Sequence, residues 1–154
     1  MLTIRRFQKG DEEILSVMIR RTLREVNYTS PKSELDYLIP HYSPETMVEL
    51  SETGHTYVLE EDGQIIGSGT ILPDGETEAE IVAAFLSPES IGKGWGRKLF
   101  ETLEADELAA KATRVWLTSS DMALGFYEHM GWVNPNGPRA RAGEDNLLYM
   151  EKRK

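Results

Sequence analysis

A chain of 154 residues has room for one domain with a proper core and not comfortably for two, so residues 1–154 are expected to form one domain. Its composition, 40% hydrophobic and 28% charged, is that of an ordinary soluble protein, and no run approaches the ~20 apolar residues that a membrane span needs. A formal charge of −9 argues against nucleic acid as a partner, and the lack of cysteine removes disulfides, thiolate metal sites and a thiol nucleophile.

The N-terminal stretch MLTIRRFQKGDEEI alternates like a strand, with Leu2, Ile4 and Phe7 apolar, and has no apolar leader core. The expected location is therefore the cytoplasm. Asp11 stands where a helix cap belongs, and Ile14, Leu15, Met18, Ile19 and Leu23 follow it as a helical apolar stripe. Pro31 and Pro40 are expected to break the next region into short pieces. Ser43-Pro44 opens a further helix that Gly54 closes. From His55 the apolar period becomes two, and Asp62-Gly63 is the turn of a hairpin.

The run AEIVAAFL, Ala79 to Leu86, has the length and apolarity of a central strand. Leu99, Phe100, Leu103 and Leu108 predict one helix of three or four turns, and RVWLTSS a strand after it. Ala123, Phe126, Tyr127 and Met130 fall at i, i+3, i+4 and i+7, a short helix ending at Gly131, and NLLYMEK supplies a last strand. This order predicts a mixed α/β sheet with antiparallel hairpins early and a strand–helix–strand crossover later.

The stretch LSPESIGKGWGRKLF places three glycines, Gly92, Gly94 and Gly96, in five residues at the mouth of a helix. Each costs roughly 0.5–1 kcal/mol relative to alanine inside a regular element. Helix N-terminal amides lack internal acceptors and favour negative charge, and positions without side chains let a phosphate approach them. With Lys93, Arg97 and Lys98 adding positive charge, the pattern reads as an anion site, best suited to a pyrophosphate. It lacks the Gly-Lys-Ser/Thr ending of a P-loop, and its G-x-G-x-G spacing departs from the dinucleotide G-x-G-x-x-G.

Leu86 to Leu99 resembles, position by position, the acetyl-CoA signature of the GNAT acetyltransferase superfamily, Val-x-Pro-x-x-Gln/Arg-Gly-x-Gly-apolar-Gly-x-x-Leu. Downstream, SSDMALGFYEHMGW is similar to the family's Asn-x-x-Ala-x-x-Phe-Tyr-x-x-x-Gly-Phe, with Ala123, Phe126, Tyr127, Gly131 and Trp132 in register. Two positions depart from these patterns: Ile91 replaces Gln or Arg, and Ser120 replaces Asn. The resemblance covers nearly the whole chain. It implies a central mixed, twisted sheet of six or seven strands flanked by about four helices, and transfer of an acetyl group from acetyl-CoA to a primary amine.

It further implies that Ile91, Gly92, Lys93, Gly94, Trp95, Gly96 and Arg97 contact the cofactor, with Ser120 and Phe126 beside its pantetheine arm. A bulge in the fourth strand would expose the amides of Ala84, Phe85 and Leu86 to the thioester. Tyr127 matches the family's proton donor to the departing thiolate, although its place on an apolar stripe also suits packing. Glu80, which shares an alternate strand face with Val82 and Ala84, is the candidate base, and Glu78 stands near the start of that strand. Glu25, within the Arg21–Glu25–Tyr28 spacing of the first helix, is the candidate acceptor contact. His41, His55 and His129 are scattered without metal spacing, so no metal is expected. Dimers are common among such proteins, so a homodimer is a possible state. A binding module that senses acetyl-CoA without turning it over is the alternative to an enzyme.

Overall fold

The computed structural model describes residues 1–26 and 32–154, with side chains at 1–26 and 35–154. Tyr28 and Pro31 lie outside the described residues. The elements are β1 (Leu2–Arg6), α1 (Glu12–Glu25), α2 (Lys32–His41), α3 (Pro44–Thr53), β2 (His55–Glu61), β3 (Gln64–Asp74), β4 (Glu78–Leu86), a 3-10 turn (Pro88–Ser90), α4 (Trp95–Ala105), α5 (Glu107–Ala110), β5 (Arg114–Ser119), α6 (Leu124–His129) and β6 (Leu148–Arg153). The strands form one six-stranded sheet in chain order. Neighbours run antiparallel except β4 and β5, which are parallel and joined through α4 and α5. Among the described residues no helix is long and apolar enough to cross a membrane.

Each face of the sheet is covered by helices, and each cover has its own core. On one face α4, α5 and α6 bury Leu99, Leu103 and Tyr127 against Ile71, Ile81 and Leu117. On the other, Leu15, Ile19 and Leu23 of α1 and Met47 of α3 close over Val58 of β2. Burying each such aliphatic side chain contributes roughly 1.5–3 kcal/mol.

The structure departs from the sequence reading in four local ways, each with a physical cause. Ile14 is 55% exposed, so the buried stripe of α1 is Leu15, Met18, Ile19 and Leu23, completed by Ser16 and Thr22. Asp11 holds the N-cap position, but its carboxylate accepts from the Gln8 amide (2.8 Å) and the Arg5 guanidinium (2.9 Å) instead of capping α1. Pro40 lies within the last turn of α2, where it forfeits one intrahelical N–H bond and the helix ends one residue later. The long helix predicted through Leu108 breaks at Asp106. That carboxylate is drawn to β2 by the Tyr57 hydroxyl (2.7 Å) and His55 Nδ1 (2.9 Å), and it caps α5 through the Leu108 amide (2.9 Å).

Other expectations are met, one for a different reason. Ser43 caps α3 by accepting from the Thr46 amide at 3.2 Å. Asp62 and Gly63 both take positive φ, 53° and 82°, as a type I′ hairpin turn requires. Gly54 ends α3 without a left-handed φ; a Cβ there would stand 2.1 Å from the Ile71 carbonyl oxygen, so close approach is what excludes a side chain.

Candidate active site

The site is organised by β4. Ala79 and Ile81 point into the α4–α6 core and Glu78, Glu80 and Val82 alternate onto the opposite face, but past the bulge Ala84, expected on the Glu80 face, packs against the α4–α6 core instead. As far as Glu80 the strand is paired on both sides, with Leu72 of β3 and Trp116 of β5. Beyond Glu80 the register with β5 stops, while pairing with β3 continues through a bulge: Ser68 faces Phe85, but Thr70 faces Val82. The extra residue falls at Ala83-Ala84, and Ala83 takes a left-handed φ of 53° that alanine adopts only under tertiary constraint. The two parallel strands therefore diverge, and Val82 to Leu86 has one ladder side without a strand partner. The bulge expected near Ala84, Phe85 and Leu86 is present, displaced one residue toward the start of the strand.

At the end of β4 the backbone is pinned. Thr22 Oγ1 of α1 donates to the Leu86 carbonyl (2.8 Å), and the Ser87 amide donates to Ile66 O (2.7 Å). The Arg21 guanidinium binds Glu89, which ties α1 to the following 3-10 turn. Gly92 and Gly94 then take φ of 88° and 84°, and a Cβ added at either would meet nothing within 4 Å. Backbone conformation and an open surface, not packing, account for both. Gly96 differs: its Cβ would lie 3.4 Å from the Phe126 ring, so it lets α4 approach α6 closely.

Gly94 is the N-cap of α4 and offers no side-chain acceptor, and the first turn carries no acidic residue. The amides of Trp95, Gly96 and Arg97 thus open onto an uncapped, positively polarised helix end. Lys93 stands 4.0 Å from Glu61, and Ile91 is 47% exposed at the turn. Arg97 lines a shallow cavity of about 430 Å³ between α4 and α6, together with Glu101, Glu104, His129 and Lys152.

On α6, Tyr127 is 8% exposed and sits in an aromatic cluster with Phe100 (5.2 Å between centroids), Phe126 (5.4 Å) and Trp132 (6.3 Å). Burial alone pushes its phenol well above the ordinary tyrosine value. Ser120 turns inward to the chain: its hydroxyl accepts from the Ala123 amide at 3.2 Å and helps start α6.

Glu80 occupies the other face of the sheet at the point of divergence. It is half-buried, and its carboxyl is pushed up to about 7, first by desolvation and then by the charge of Asp74. Asp74, at the end of β3, accepts the Trp116 indole N–H at 2.8 Å. Tyr42 stands over the same region, edge-on to Phe85 at 5.4 Å. Burial, then the charge of Glu80, raises its phenol to about 12. Glu78 is already engaged by Arg114 (2.9 Å), which also holds Glu151 (2.5 Å).

The structure brings most of the predicted residues together. Ala84, Phe85 and Leu86 lead directly into the glycine turn, and Phe126 packs against Gly96. Tyr127 and Glu80 flank the diverging strands from opposite faces. Glu25 stands apart, its carboxylate paired with Arg21 at 2.9 Å on the side of Glu89. Sequence reasoning passed over Tyr42, Asp74 and Trp116. Trp116 was within reach, since the period of two in RVWLTS puts it on the face of Arg114 and Thr118, beside a strand with Glu80 in the same alternation.

Residues 18–132, more than half of the chain, match the Acetyltransferase (GNAT) family. The chain belongs to that family. A GNAT assignment accounts for the diverging strands and the glycine turn as parts of one acetyltransferase architecture. Among relatives, the chain is 27% identical over 139 residues to the uncharacterized N-acetyltransferase YjgM of Escherichia coli (strain K12), covering 84% of this chain and 80% of that one. Its fold is shared with the PaiA N-acetyltransferase from Thermoplasma acidophilum in complex with coenzyme A (TM-score 0.79, 20% identity, 100% and 99% of the two chains). The same fold is found in a GNAT family acetyltransferase from Brucella melitensis in complex with acetyl-CoA (TM-score 0.68, 19% identity, 99% and 88%).

Proposed function

We propose that this GNAT protein is an acetyl-CoA-dependent N-acetyltransferase that acts on a primary amine of a small molecule or protein. The observation that carries the reading is the divergence of β4 from β5 after Glu80, with an uncapped glycine-rich helix end beyond it and a carboxyl near pH 7 beside it. The open backbone at Gly92 and Gly94 and the free amides of α4 suit a pyrophosphate, and Lys93 and Arg97 add positive charge. Acetyl-CoA supplies an activated acyl group as a thioester. The amides of the bulge, at Ala84 to Leu86, are the donors for charge that develops on its carbonyl oxygen.

An alkyl amine with pKa near 10.4 is neutral in only about one part in a few thousand at pH 7, so its proton needs an acceptor. Glu80 is that base in our reading, because a base works best when its pKa lies near the working pH. It stands three to four residues before the bulge, about 10–13 Å along a strand, so the proton crosses through water. Tyr127, whose phenol stays protonated at neutral pH, gives a proton to the departing thiolate from the opposite face. Acid and base on separate faces cannot neutralise each other directly.

The test is thioester cleavage, followed as CoA release, across a panel of primary amines, amino acids and peptides. Amine-dependent turnover is expected. CoA binding by calorimetry with no turnover over the whole panel would make the protein a sensor.

A further inference from the structure

Trp116 and Asp74 lie on strands that do not touch. Trp116 is on β5 and Asp74 on β3, with β4 between them. Neighbouring strands are 4.7–4.9 Å apart, so the 2.8 Å hydrogen bond from the Trp116 indole to Asp74 has to pass over β4. Its crossing point is fixed by register: Trp116 is opposite Glu80, and Asp74 is opposite Glu78. An aromatic ring and a tethered carboxylate therefore bracket Glu80.

We propose that Asp74, held in place by Trp116, is a positioning residue that sets the proton affinity of Glu80. This rests on the reading of Glu80 as the base. The ring removes water from one flank of Glu80, and the fixed negative charge makes a second negative charge nearby less favourable. Both act in the direction that brings the Glu80 carboxyl to about 7.

The other groups around Glu80 leave this role to Asp74. On β4, Glu78 is neutralised by Arg114, the cation of β5, which is shared with Glu151 of β6. Arg153 of β6 also pairs with Glu151. The segment between α2 and α3 brings Tyr42, edge-on to His41 at the end of α2, on which Tyr37 stacks. From α1, Arg21 is bound by Glu25 and Glu89, Thr22 is spent on Leu86, and Arg20 is half-buried. Helices α4 and α5 pack on the opposite face.

The experiment reads Glu80 itself, by carbon-13 NMR titration of the carboxyl in protein labelled at glutamate, with Glu80→Gln to assign the signal. Asp74→Asn is expected to lower the Glu80 midpoint by about half a pH unit or more, and Trp116→Phe, which keeps a ring but removes the N–H, to lower it by less. Glu76→Gln, an equal change of charge at an exposed position in the β3–β4 turn, serves as control and should leave the midpoint in place. An unmoved midpoint in Asp74→Asn, or an equal shift in Glu76→Gln, overturns the proposal. The acid limb of the pH–rate profile, measured with the fastest amine of the panel, should follow the NMR midpoint in each variant. If Glu80→Gln leaves that limb in place, the base assignment fails, while the titration still decides the role of Asp74.

Discussion

The two halves of β4 belong to one strand and end up in opposite situations. Glu78 to Glu80 is paired on both sides and its acidic side chains are committed or crowded. Val82 to Leu86 is paired only with β3, is bulged, and bears a left-handed alanine. One strand thus serves as paired framework in its first half and as open backbone in its second. The difference lies in register, since pairing with β5 ends at Glu80, and in composition, since two of the three residues before that boundary are acidic and all those after it are apolar.

The contrast can be broken most severely where the second half runs into the glycine turn. Gly94→Glu places a side chain at φ 84° and a carboxylate at the mouth of α4. CoA binding by calorimetry should fall at least 100-fold, whereas Gly94→Ala, which carries only the strain of roughly 1–2 kcal/mol, should fold and keep part of it. Unchanged affinity in a folded Gly94→Glu protein would remove the pyrophosphate assignment.

Next in size is the effect at Tyr127, the proposed acid. Tyr127→Phe keeps the contacts with Phe100 and Trp132 and deletes the hydroxyl, so kcat is expected to fall by about 10²–10⁴-fold with CoA affinity retained. Retained kcat with reduced thermal stability would make this residue a packing element.

Glu80→Gln tests the framework half. It should lower kcat and flatten the acid limb, and it also has a stability signature with a definite sign. The folded protein holds the Glu80 proton to about pH 7, above the ordinary carboxyl value near 4.5, so between those values the folded state binds more protons than the unfolded one. Stability contributed by this group is therefore lost as pH rises through that window. The glutamine variant should match the parent near pH 4 and exceed its Tm at pH 8, read by calorimetry in the two buffers.

The smallest effect is expected at Glu25, whose exposed pair with Arg21 is of the kind worth about 0–1 kcal/mol. We propose that Glu25→Gln raises KM for the amine up to about fivefold and leaves KM for acetyl-CoA unchanged. A shift in the acetyl-CoA value instead would assign the Arg21–Glu25–Glu89 chain to the cofactor side.

Much of this contrast could be read from residue order. The hairpin at Asp62-Gly63, the apolar run of β4 and the paired glycine and aromatic motifs are local signals, each carried by neighbours in the chain. The bulge was placed within a residue by resemblance, but the conformation of Ala83 was not legible, because it follows from a register shift against β3 between Ser68 and Thr70. The break at Asp106 was hidden for the same reason: its partners, His55 and Tyr57, are about fifty residues away. The tie between Asp74 and Trp116 crosses two strand boundaries and had no local trace at all. Among the candidate site residues, those placed by backbone or motif were legible in the sequence, and those tied in by long-range side-chain contact were not.

The parallel ladder between β4 and β5 consists of Glu78–Arg114, Ala79–Val115 and Glu80–Trp116 alone. Those three pairs are the strand–strand seam between a four-stranded N-terminal part and the antiparallel β5–β6 pair, which are otherwise joined by the shared core under α4–α6 and by side chains such as Arg114 and Trp116. A seam so short is a natural line for partial opening, with amides on its two sides exchanging with solvent as separate cooperative units. Opening along that line would make the cleft at the bulge a hinge, and a ligand lodged across it would act as a splint, slowing exchange in β5 and β6 at a distance from every atom it touches.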